Sequence, residues 1–380
     1  MALTIKWLTP DRFDLKPNKS PWLEMAKGLS KHGHNVEILT SKSKTFVAKD
    51  SAQPITYVNA LDFPLIFRFS VLLNMYFWLK KHANHDDIII MNQDSLLIAP
   101  LLRKHGFKHI HLDIRTIPVD MHTIKDRLDR LLYWHVPLKL FGRVAQSYSF
   151  ITDRLRQEVE NEFDLKITDY AIWQSGVSTK AFFPKALSTI QAKTKFRLFY
   201  HGTISVNRGI GLVIEAVSLL DPSIDLEFII VGDGGGANEL KLLAKELHLG
   251  DRVIFRGLLP YQEMVNEINQ ADVCICPLTD RLEWNVSSPL KVFEYMACAK
   301  PIILTPISAH KDVADGTSFV IWTDGYKPKD FKQAIVIAIE KQQILNDNAK
   351  QAPEIVKNNY EWQSQSEKLE THLIRHITEF

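Results

Sequence analysis

The sequence is poor in cysteine, in long apolar runs and in net charge. Three cysteines in 380 residues are too few, and too odd in number, for a disulfide framework, so we expect a reducing compartment. The most apolar stretch, residues 63–79, contains Arg68 and Asn74 and falls short of the ~20 residues that a membrane-spanning helix needs. A formal net charge of +2 gives no reason to expect nucleic acid as a partner.

What is present is the composition of an ordinary soluble protein. Hydrophobic residues make up 46% of the chain and charged residues 24%, which excludes disordered, collagen-like and low-complexity chains. The N-terminal residues lack an apolar segment followed by a cleavage site, so we expect no signal peptide and a cytoplasmic location. Because 380 residues exceed what one hydrophobic core usually serves, two domains are expected.

Charge differs between the two halves. Residues 1–180 carry 25 Lys and Arg against 19 Asp and Glu, whereas residues 181–380 carry 21 against 25. The basic half favours an anionic surface or substrate, although variation between two solvated surfaces explains it equally well. It contains two candidate membrane-interface helices, residues 63–81 and 125–143, which predict peripheral contact with the inner face of an anionic membrane. Such helices also commonly cover a sheet.

Short β-branched runs alternate with longer segments of helical period, the pattern of parallel sheets covered by helices. Helices are predicted between strands, for example at 22–32 and 95–105. Strands are predicted at 4–8, 36–40, 88–91, 109–113 and 144–147, and the series then restarts at 197–201, 226–231, 253–256, 273–276 and 302–304.

The restart predicts two doubly wound domains. We expect an N-terminal domain over residues 1–178, a linker over 179–195, a second domain over 196–360, and a final helix over 361–380 that crosses back to the first domain. Ligands of such sheets bind beyond the carboxyl ends of the strands. The cleft between the two domains is therefore the expected site.

The most informative stretch is NVSSPLKVFEYMA at residues 285–297. Ser288 suits an N-cap and Pro289 the first helical position, so a helix should begin here with free amides that attract an anion. Lys291 falls in the first turn, and Glu294 lies on about the same face. This set suits a ligand with phosphate at one end and hydroxyls at the other, but an ordinary capped helix with a surface Lys–Glu pair has the same spacing.

Arg208 is the second candidate, within YHGTISVNRGIG at residues 200–211. A helix is predicted to begin after Asn207, with Arg208 in its first turn. Because the helix dipole disfavours a cation there, Arg208 makes better sense with an anion between it and the amides. A solvated arginine with no partner is the alternative.

Other motifs predict less. VGDGGG at residues 231–236 lacks the G-x-G-x-x-G spacing and includes Asp233, whose charge repels phosphate, so a tight turn is expected there. No histidine has companion ligands at metal-binding spacing, and no metal is expected. His111 and Asp113 end a predicted strand on one side, which fits either a site or a strand-end cap.

These residues coincide with a known donor site. The segments IIVGDGGGANELKLLAKELHLGDRVIFRG, QADVCICPL, SPLKVFEYMACAKPII and WQSGVSTKAFFP resemble motifs of the GT-B glycosyltransferases, and the chain is similar to family 4, the retaining nucleotide-sugar transferases. The resemblance is strongest over residues 202–296. It implies an α/β fold of the GT-B type, with two Rossmann-like doubly wound domains facing across a cleft.

The resemblance also implies roles for individual residues. Arg208 would hold the donor diphosphate, Lys291 would neutralise the leaving diphosphate, and Glu294 would accept hydrogen bonds from ribose hydroxyls. Asp113 would lie near the sugar. The remaining donor contacts would come from Gly202 and Thr203, from Leu258 against the base, and from the amides at the helix start around Ser288, Pro289 and Leu290.

The chain departs from the family pattern at three places. Thr203 replaces the family's first arginine, and Val286 replaces the first Glu of a Glu-x7-Glu pair, with Glu283 close by. Asn18-Lys19-Ser20 replaces an N-terminal glycine pair beside the donor.

The resemblance predicts an enzyme. It would be a retaining, metal-independent hexosyltransferase that moves a sugar from a UDP- or GDP-type donor to a glycan or lipid-linked acceptor in surface polysaccharide synthesis. The alternatives are a non-catalytic GT-B partner subunit, for which Thr203 and Val286 argue, and a nucleotide-sugar epimerase or hydrolase on the same fold.

Overall fold

The computed structural model describes residues 1–15, 20–43, 54–63, 66–119, 123–185 and 195–379. The chain divides into two compact units. The first contains Met1–Ser175 and Trp362–Phe380, and the second contains Gly176–Glu361. The first segment of unit one thus ends at Ser175, where the predicted domain ends at 178, and its second segment begins at Trp362, where the final helix was predicted to begin at 361. Asn18, Lys19 and residues 186–194 of the predicted linker lie outside the described residues.

The first unit is built on a seven-stranded parallel sheet of order β3-β2-β1-β4-β5-β6-β7. Its strands are β1 Thr4–Arg12, β2 Asn35–Ser41, β3 Ile55–Tyr57, β4 Ile88–Met91, β5 His109–Ile114, β6 Ser147–Phe150 and β7 Tyr170–Ile172. Its helices up to β7 are α1 Ser20–Lys31, α2 Phe67–His82, α3 Ala99–Lys104, α4 Ile124–Arg130, α5 Val136–Phe141 and α6 Asp153–Phe163. A π-helical turn, Leu131–His135, joins α4 to α5.

The second unit repeats this plan with a six-stranded parallel sheet of order β10-β9-β8-β11-β12-β13. Its strands are β8 Phe196–His201, β9 Leu226–Val231, β10 Val253–Gly257, β11 Val273–Cys276, β12 Ile302–Leu304 and β13 Val320–Trp322. Its helices are α7 Ile210–Ser218, α8 Ala237–Glu246, α9 Tyr261–Gln270, α10 Leu282–Asn285, α11 Leu290–Ala297, α12 Ser308–Ala314, α13 Pro328–Glu340, α14 Gln342–Ala349 and α15 Ala352–Asn359.

The last helix, α16 Trp362–Glu379, belongs to the first unit, where it packs on α1. A Cβ atom on Gly28 of α1 would lie 2.3 Å from Ser366 Oγ, so glycine is what permits this close approach. Glu370 adds polar contacts to the same interface, 2.7 Å from His34 Nε2 and also against His32. The C-terminal helix is thus an integral part of the first unit.

The predicted strands match the sheets except at one place. The strand predicted at 144–147 is wrong, because Gly142–Val144 form a 3₁₀ turn and the strand runs over Ser147–Phe150. The serines of this strand are buried, and Ser147 Oγ and Ser149 Oγ lie 2.7 and 2.8 Å from the two ring nitrogens of His111. The short strands β3, β7 and β13 were not predicted.

Among the described residues, no helix combines the length and the apolar character that a membrane crossing requires. The apolar stretch at 63–79 includes residues 64 and 65, which are not described, and its described part forms most of α2.

Candidate functional site

Two loops form the floor of the candidate site in the second unit. One follows β8 and the other follows β9, at the carboxyl ends of adjacent strands. Their backbones touch, since a Cβ atom on Gly232 would lie 1.9 Å from Gly202 O, and one on Gly234 would lie 2.3 Å from Ile204 O. The amide of Ile204 donates to Asp233 O at 3.0 Å. The VGDGGG segment is therefore a tight turn that supports the first loop, as its sequence suggests.

Gly202 also makes room for a side chain. Its φ of +129° is in the region that favours glycine, and a Cβ atom there would lie 3.3 Å from Lys291 Cε. Because Gly202 has no side chain, the lysine chain can lie directly against the backbone of the loop.

Arg208 lies on a 3₁₀ turn, Val206–Arg208, and not in the first turn of an α-helix as predicted. Gly209 follows with φ +73° and ends the turn, and α7 begins at Ile210. Glycine is required there because a Cβ atom would lie 1.9 Å from Pro277 O.

The Arg208 guanidinium stacks on an aromatic ring. It lies 4.6 Å from the ring centroid of Trp284, a residue that is 5% exposed. The indole Nε1 of Trp284 donates to Asn207 O at 3.3 Å, which fixes the ring. Arg208 Nε is buried without a hydrogen-bond partner, and among the described residues Arg208 forms no ion pair. The arginine is thus held by an aromatic face and not by a carboxylate.

Lys291 lies in the first turn of α11, as predicted. The predicted cap is wrong by one residue, since Pro289 and not Ser288 occupies the N-cap and supplies no capping side chain. Lys291 Nζ lies 5.3 Å from the ring centroid of Tyr200. Burial lowers the pKa of Lys291, and Arg208 adds to this effect, while the nearby Cys276 thiol and Glu294 oppose it. In the part of the chain that the structure describes, Lys291 has no ion-pair partner within 4.0 Å.

Glu294 lies one turn further along α11 and is 7% exposed. Its Oε2 atom is 3.0 Å from Nε2 of His201, the last residue of β8. The two atoms are not aligned as a hydrogen bond, and each is buried without a hydrogen-bond partner. His201 was not predicted as a site residue, although its position at the carboxyl end of a strand was a usable signal.

The other predicted donor residues differ in exposure. Leu258, after β10, is 77% exposed and free to meet a planar ligand, whereas Ser288 and Pro289 are buried at the start of α11. Thr203 is exposed, and its carbonyl oxygen accepts a hydrogen bond from the Tyr200 hydroxyl at 3.0 Å. Leu290 is half-buried in the first turn of α11.

The departures from the family pattern also have structural positions. Val286 is 3% exposed and belongs to the core, so it offers no polar group to a ligand. The neighbouring Glu283 accepts a hydrogen bond from Arg281 Nε and is engaged within the same short helix.

Asp113 belongs to the first unit and is 2% exposed. Its Oδ1 atom accepts hydrogen bonds from Ser149 Oγ at 2.7 Å and from Trp173 Nε1 at 3.1 Å. Burial raises the pKa of Asp113 to about 6, while Arg115 and the two hydrogen bonds act in the opposite direction. This enclosed carboxyl ties β5 to β6 and to the segment after β7, and its surroundings give no support to contact with a sugar.

The site therefore brings together Lys291, Arg208, Gly202 and Glu294 around the start of α11. Two cations without carboxylate partners attract an anion, and a buried carboxylate with an unpartnered oxygen attracts hydroxyl donors. Among the described residues, no three His, Cys, Asp or Glu side chains are grouped so that they could hold a metal ion.

Part of the second unit matches a known protein family. Residues 195–341 match the family model described as Glycosyl transferases group 1. Over 182 residues, the sequence is 25% identical to YtcC of Bacillus subtilis (strain 168), a glycosyltransferase by its name. This alignment covers 46% of the chain and 44% of YtcC, so the chain spans less than half the length of this curated relative.

Solved structures resemble the chain over nearly all of its length. Sucrose-phosphate synthase from Thermosynechococcus elongatus has a TM-score of 0.80 at 15% identity and matches over 99% of both chains. The Anabaena protein HepE, solved with UDP and glucose, has a TM-score of 0.77 at 15% identity over 98% of this chain and 99% of HepE. WaaG, a glycosyltransferase involved in lipopolysaccharide biosynthesis, has a TM-score of 0.70 at 14% identity over 96% and 98%.

At these identities the structural likeness establishes the fold alone. The predicted GT-B fold with two Rossmann-like α/β domains is confirmed, and so is the resemblance to GT-B glycosyltransferases.

Proposed function

Because residues 195–341 match the family model described as Glycosyl transferases group 1, we propose that the protein transfers a sugar from a nucleoside-diphosphate donor to an acceptor. The observation that carries this proposal is the pair of cations Lys291 and Arg208, which form no ion pair with any described residue at the start of α11. Metabolites that carry a diphosphate and a ribose match a site with cations at one end and the carboxylate of Glu294 at the other.

In the proposed reaction the C–O bond between the sugar and the diphosphate breaks, and an acceptor hydroxyl oxygen forms a new bond to the same sugar carbon. The proton of that hydroxyl passes to the departing diphosphate, on which negative charge accumulates as the bond breaks. Lys291, Arg208 and the free amides at the start of α11 stabilise that charge where it develops. A bound diphosphate also favours the charged form of Lys291, because an anion beside this buried ammonium offsets the cost of its burial. Two fixed cations thus supply what a divalent metal supplies in other transferases, and the proposed mechanism is metal-independent.

The donor is proposed to be of the UDP or GDP type. HepE was solved with UDP and glucose and also with UDP-glucose, which favours a UDP-sugar. Glu294 would bind the ribose hydroxyls and Leu258 the base. We further propose the retaining, family 4-like hexosyltransferase chemistry that the sequence motifs imply. The role of Asp113 near the sugar stays a prediction, and the burial of its side chain does not favour that role.

For the acceptor we propose a glycan or lipid-linked glycan of surface polysaccharide. WaaG, whose fold the chain shares, acts in lipopolysaccharide biosynthesis, and this supports the proposal by analogy.

A surface of the first unit suits a protein that meets a lipid-linked acceptor in the cytoplasm at the inner face of the membrane. No residue of α4 is buried, and Ile124 at its start is 86% exposed. Leu128, Leu131 and Leu140 are also exposed along the same continuous helical segment, at 44%, 49% and 63%. Lys125 and Arg127 lie among these apolar side chains. The surface therefore offers apolar groups that can insert into the membrane interface and basic groups that attract anionic headgroups.

The proposal is tested by product analysis. The purified protein is incubated with UDP- or GDP-sugars, with and without octyl glucoside as a simple alkyl acceptor, and products are identified by NMR. We expect acceptor-dependent transfer with retained anomeric configuration, at least ~100-fold slower in Lys291→Ala, because a transition-state charge contact of this kind contributes about 3 kcal/mol or more. Lys245→Ala, an exposed lysine of α8, serves as the control.

The other outcomes identify the alternatives. A changed sugar without acceptor indicates an epimerase, and a free sugar without acceptor indicates a hydrolase. Nucleotide binding without any turnover supports a non-catalytic partner subunit.

A further inference from the structure

We propose that His201 is a positioning residue that holds the Glu294 carboxylate for recognition of a vicinal diol, the ribose of a nucleoside diphosphate. The inference rests on the proposed function and adds to it the residue that makes the site selective for ribose. His201 is neither part of the phosphate-binding pair nor exposed to solvent, being 7% exposed at the end of β8.

The imidazole of His201 and the carboxylate of Glu294 are in close contact. His201 Nε2 lies 3.0 Å from Glu294 Oε2, and the two side chains are 8% and 9% exposed. A lone pair on Nε2 would repel a carboxylate oxygen at this distance, so Nε2 carries a hydrogen. The imidazole is therefore a donor that faces the carboxylate at close range.

This donor and this acceptor lack hydrogen-bond partners of good geometry. Neither Nε2 of His201 nor Oε2 of Glu294 has an aligned hydrogen-bond partner, although both atoms are buried. An unsatisfied buried polar atom costs about 1–3 kcal/mol, so two such atoms facing each other in a candidate site call for a partner such as a bound ligand. A small rotation of the carboxylate would align Oε2 with Nε2 and leave its remaining lone pairs for two hydroxyl donors.

The imidazole of His201 is held in place by the core. Its ring packs edge-on against Tyr295, with centroids 5.2 Å apart and an interplanar angle of 86°, and lies 6.0 Å from the ring of Phe199. The backbone amide of His201 donates to the Tyr295 hydroxyl at 3.1 Å. Tyr295 and Phe199 are 0% and 1% exposed, so the ring is fixed to the core and Glu294 is the partner that can adjust.

Together these contacts define the role of each group. Glu294 touches the ligand, and His201 acts through Glu294 by fixing which oxygen lone pairs face the diol. Removing the imidazole N–H should loosen the carboxylate without removing its charge. Selectivity for ribose should therefore fall while phosphate binding at Lys291 and Arg208 continues.

The test measures dissociation constants of UDP and 2′-deoxy-UDP by calorimetry, with GDP and 2′-deoxy-GDP used instead if the protein prefers guanine. The ratio of the two constants reports diol recognition. In His201→Phe, which keeps the ring contacts and deletes the N–H, we expect UDP to bind about tenfold more weakly and 2′-deoxy-UDP to be nearly unaffected. The ratio should approach that of Glu294→Gln. His201→Gln, whose amide reaches the position of Nε2, should restore most of the ratio.

Two further variants keep the test decisive. His201→Asn is too short to reach Glu294 and should reproduce the loss if the Phe variant does not fold. His248→Phe removes an exposed imidazole from the same unit and should change nothing. An undiminished ratio in folded His201→Phe or His201→Asn overturns the inference and leaves the proposed function intact, whereas a wild-type protein that binds neither nucleotide overturns both.

Discussion

Single charged residues inside this protein differ in whether a counter-charge accompanies them. Asp113 lies beside Arg115, whose guanidinium stacks on the Trp173 ring, and burial lowers the pKa of that arginine to about 10. Lys291 and Arg208 have aromatic neighbours in place of carboxylates. The first arrangement is complete within the fold, whereas the second leaves positive charge available to a ligand.

The sequence located Lys291 and Glu294 because their spacing follows from the geometry of one helix. It did not locate His201 or Trp284, because each meets its partner only when distant segments of the chain converge. The ring of Trp284 meets Arg208, and the imidazole of His201 meets Glu294, through the order of the strands and not through local spacing.

Asp113 provides a test at the scale of one residue. The pKa of Asp113 rises from 3.8 to about 6 in the folded protein, so folding favours its protonated form. Its contribution to stability is fully present below pH 3.8 and is lost as the pH rises through about 6. We expect the free energy of unfolding of Asp113→Asn, whose side chain cannot ionise, not to show this decrease. For a pKa shift of this size the decrease in wild type is roughly 3 kcal/mol.

The measurement is the free energy of unfolding by urea from pH 4 to pH 7 for both proteins. The stability of Asp113→Asn relative to wild type should increase between pH 4 and pH 6. Parallel pH profiles would show that this carboxyl does not titrate as its burial implies.

At the scale of elements, apolar patterns located the central strands well and the boundaries of turns less well. β4, β9, β11 and β12 coincide with their predicted ranges, because strands buried on both faces read as continuous apolar runs. Strands that contain polar residues, and the caps of helices, are harder to locate from the sequence. β6 was misplaced because its serines bind His111, and the start of α11 was misplaced because Pro289 caps it without a polar side chain.

The element α4 gives a prediction about the membrane surface. Lys125→Glu with Arg127→Glu should weaken binding to vesicles rich in phosphatidylglycerol at least tenfold, since each basic residue near an anionic surface contributes about 1 kcal/mol. Ile124→Ser should weaken it separately by removing an exposed apolar side chain.

Binding is measured by vesicle sedimentation at two salt concentrations. The matched control is Lys241→Glu with Lys245→Glu, the same charge change on exposed positions of α8 in the second unit. Equal binding by the two double variants would contradict a membrane surface on α4.

At the scale of the whole molecule, the sequence predicted the architecture because the strand–helix alternation restarts once. Each of the two strand–helix series specifies a parallel sheet with its own core, and the structure has one such sheet in each unit. The seven-stranded first unit carries the excess of basic residues, and the second carries the predicted donor site. The C-terminal helix was expected to cross back to the first domain, but the surface on which it packs depends on tertiary contacts such as that of Gly28 with Ser366, which no local pattern specifies.

The central claim is that the second unit binds a nucleoside diphosphate through Lys291. Its most direct test is the melting temperature of wild type, Lys291→Ala and the Lys245→Ala control with UDP, GDP, TDP, CMP and NAD. A ligand at 100 times its dissociation constant adds about 2.7 kcal/mol to stability, which such a scan detects. We predict that one nucleoside diphosphate stabilises wild type and Lys245→Ala but not Lys291→Ala. Stabilisation by none of the five compounds, or equal stabilisation of all three proteins, would contradict the account.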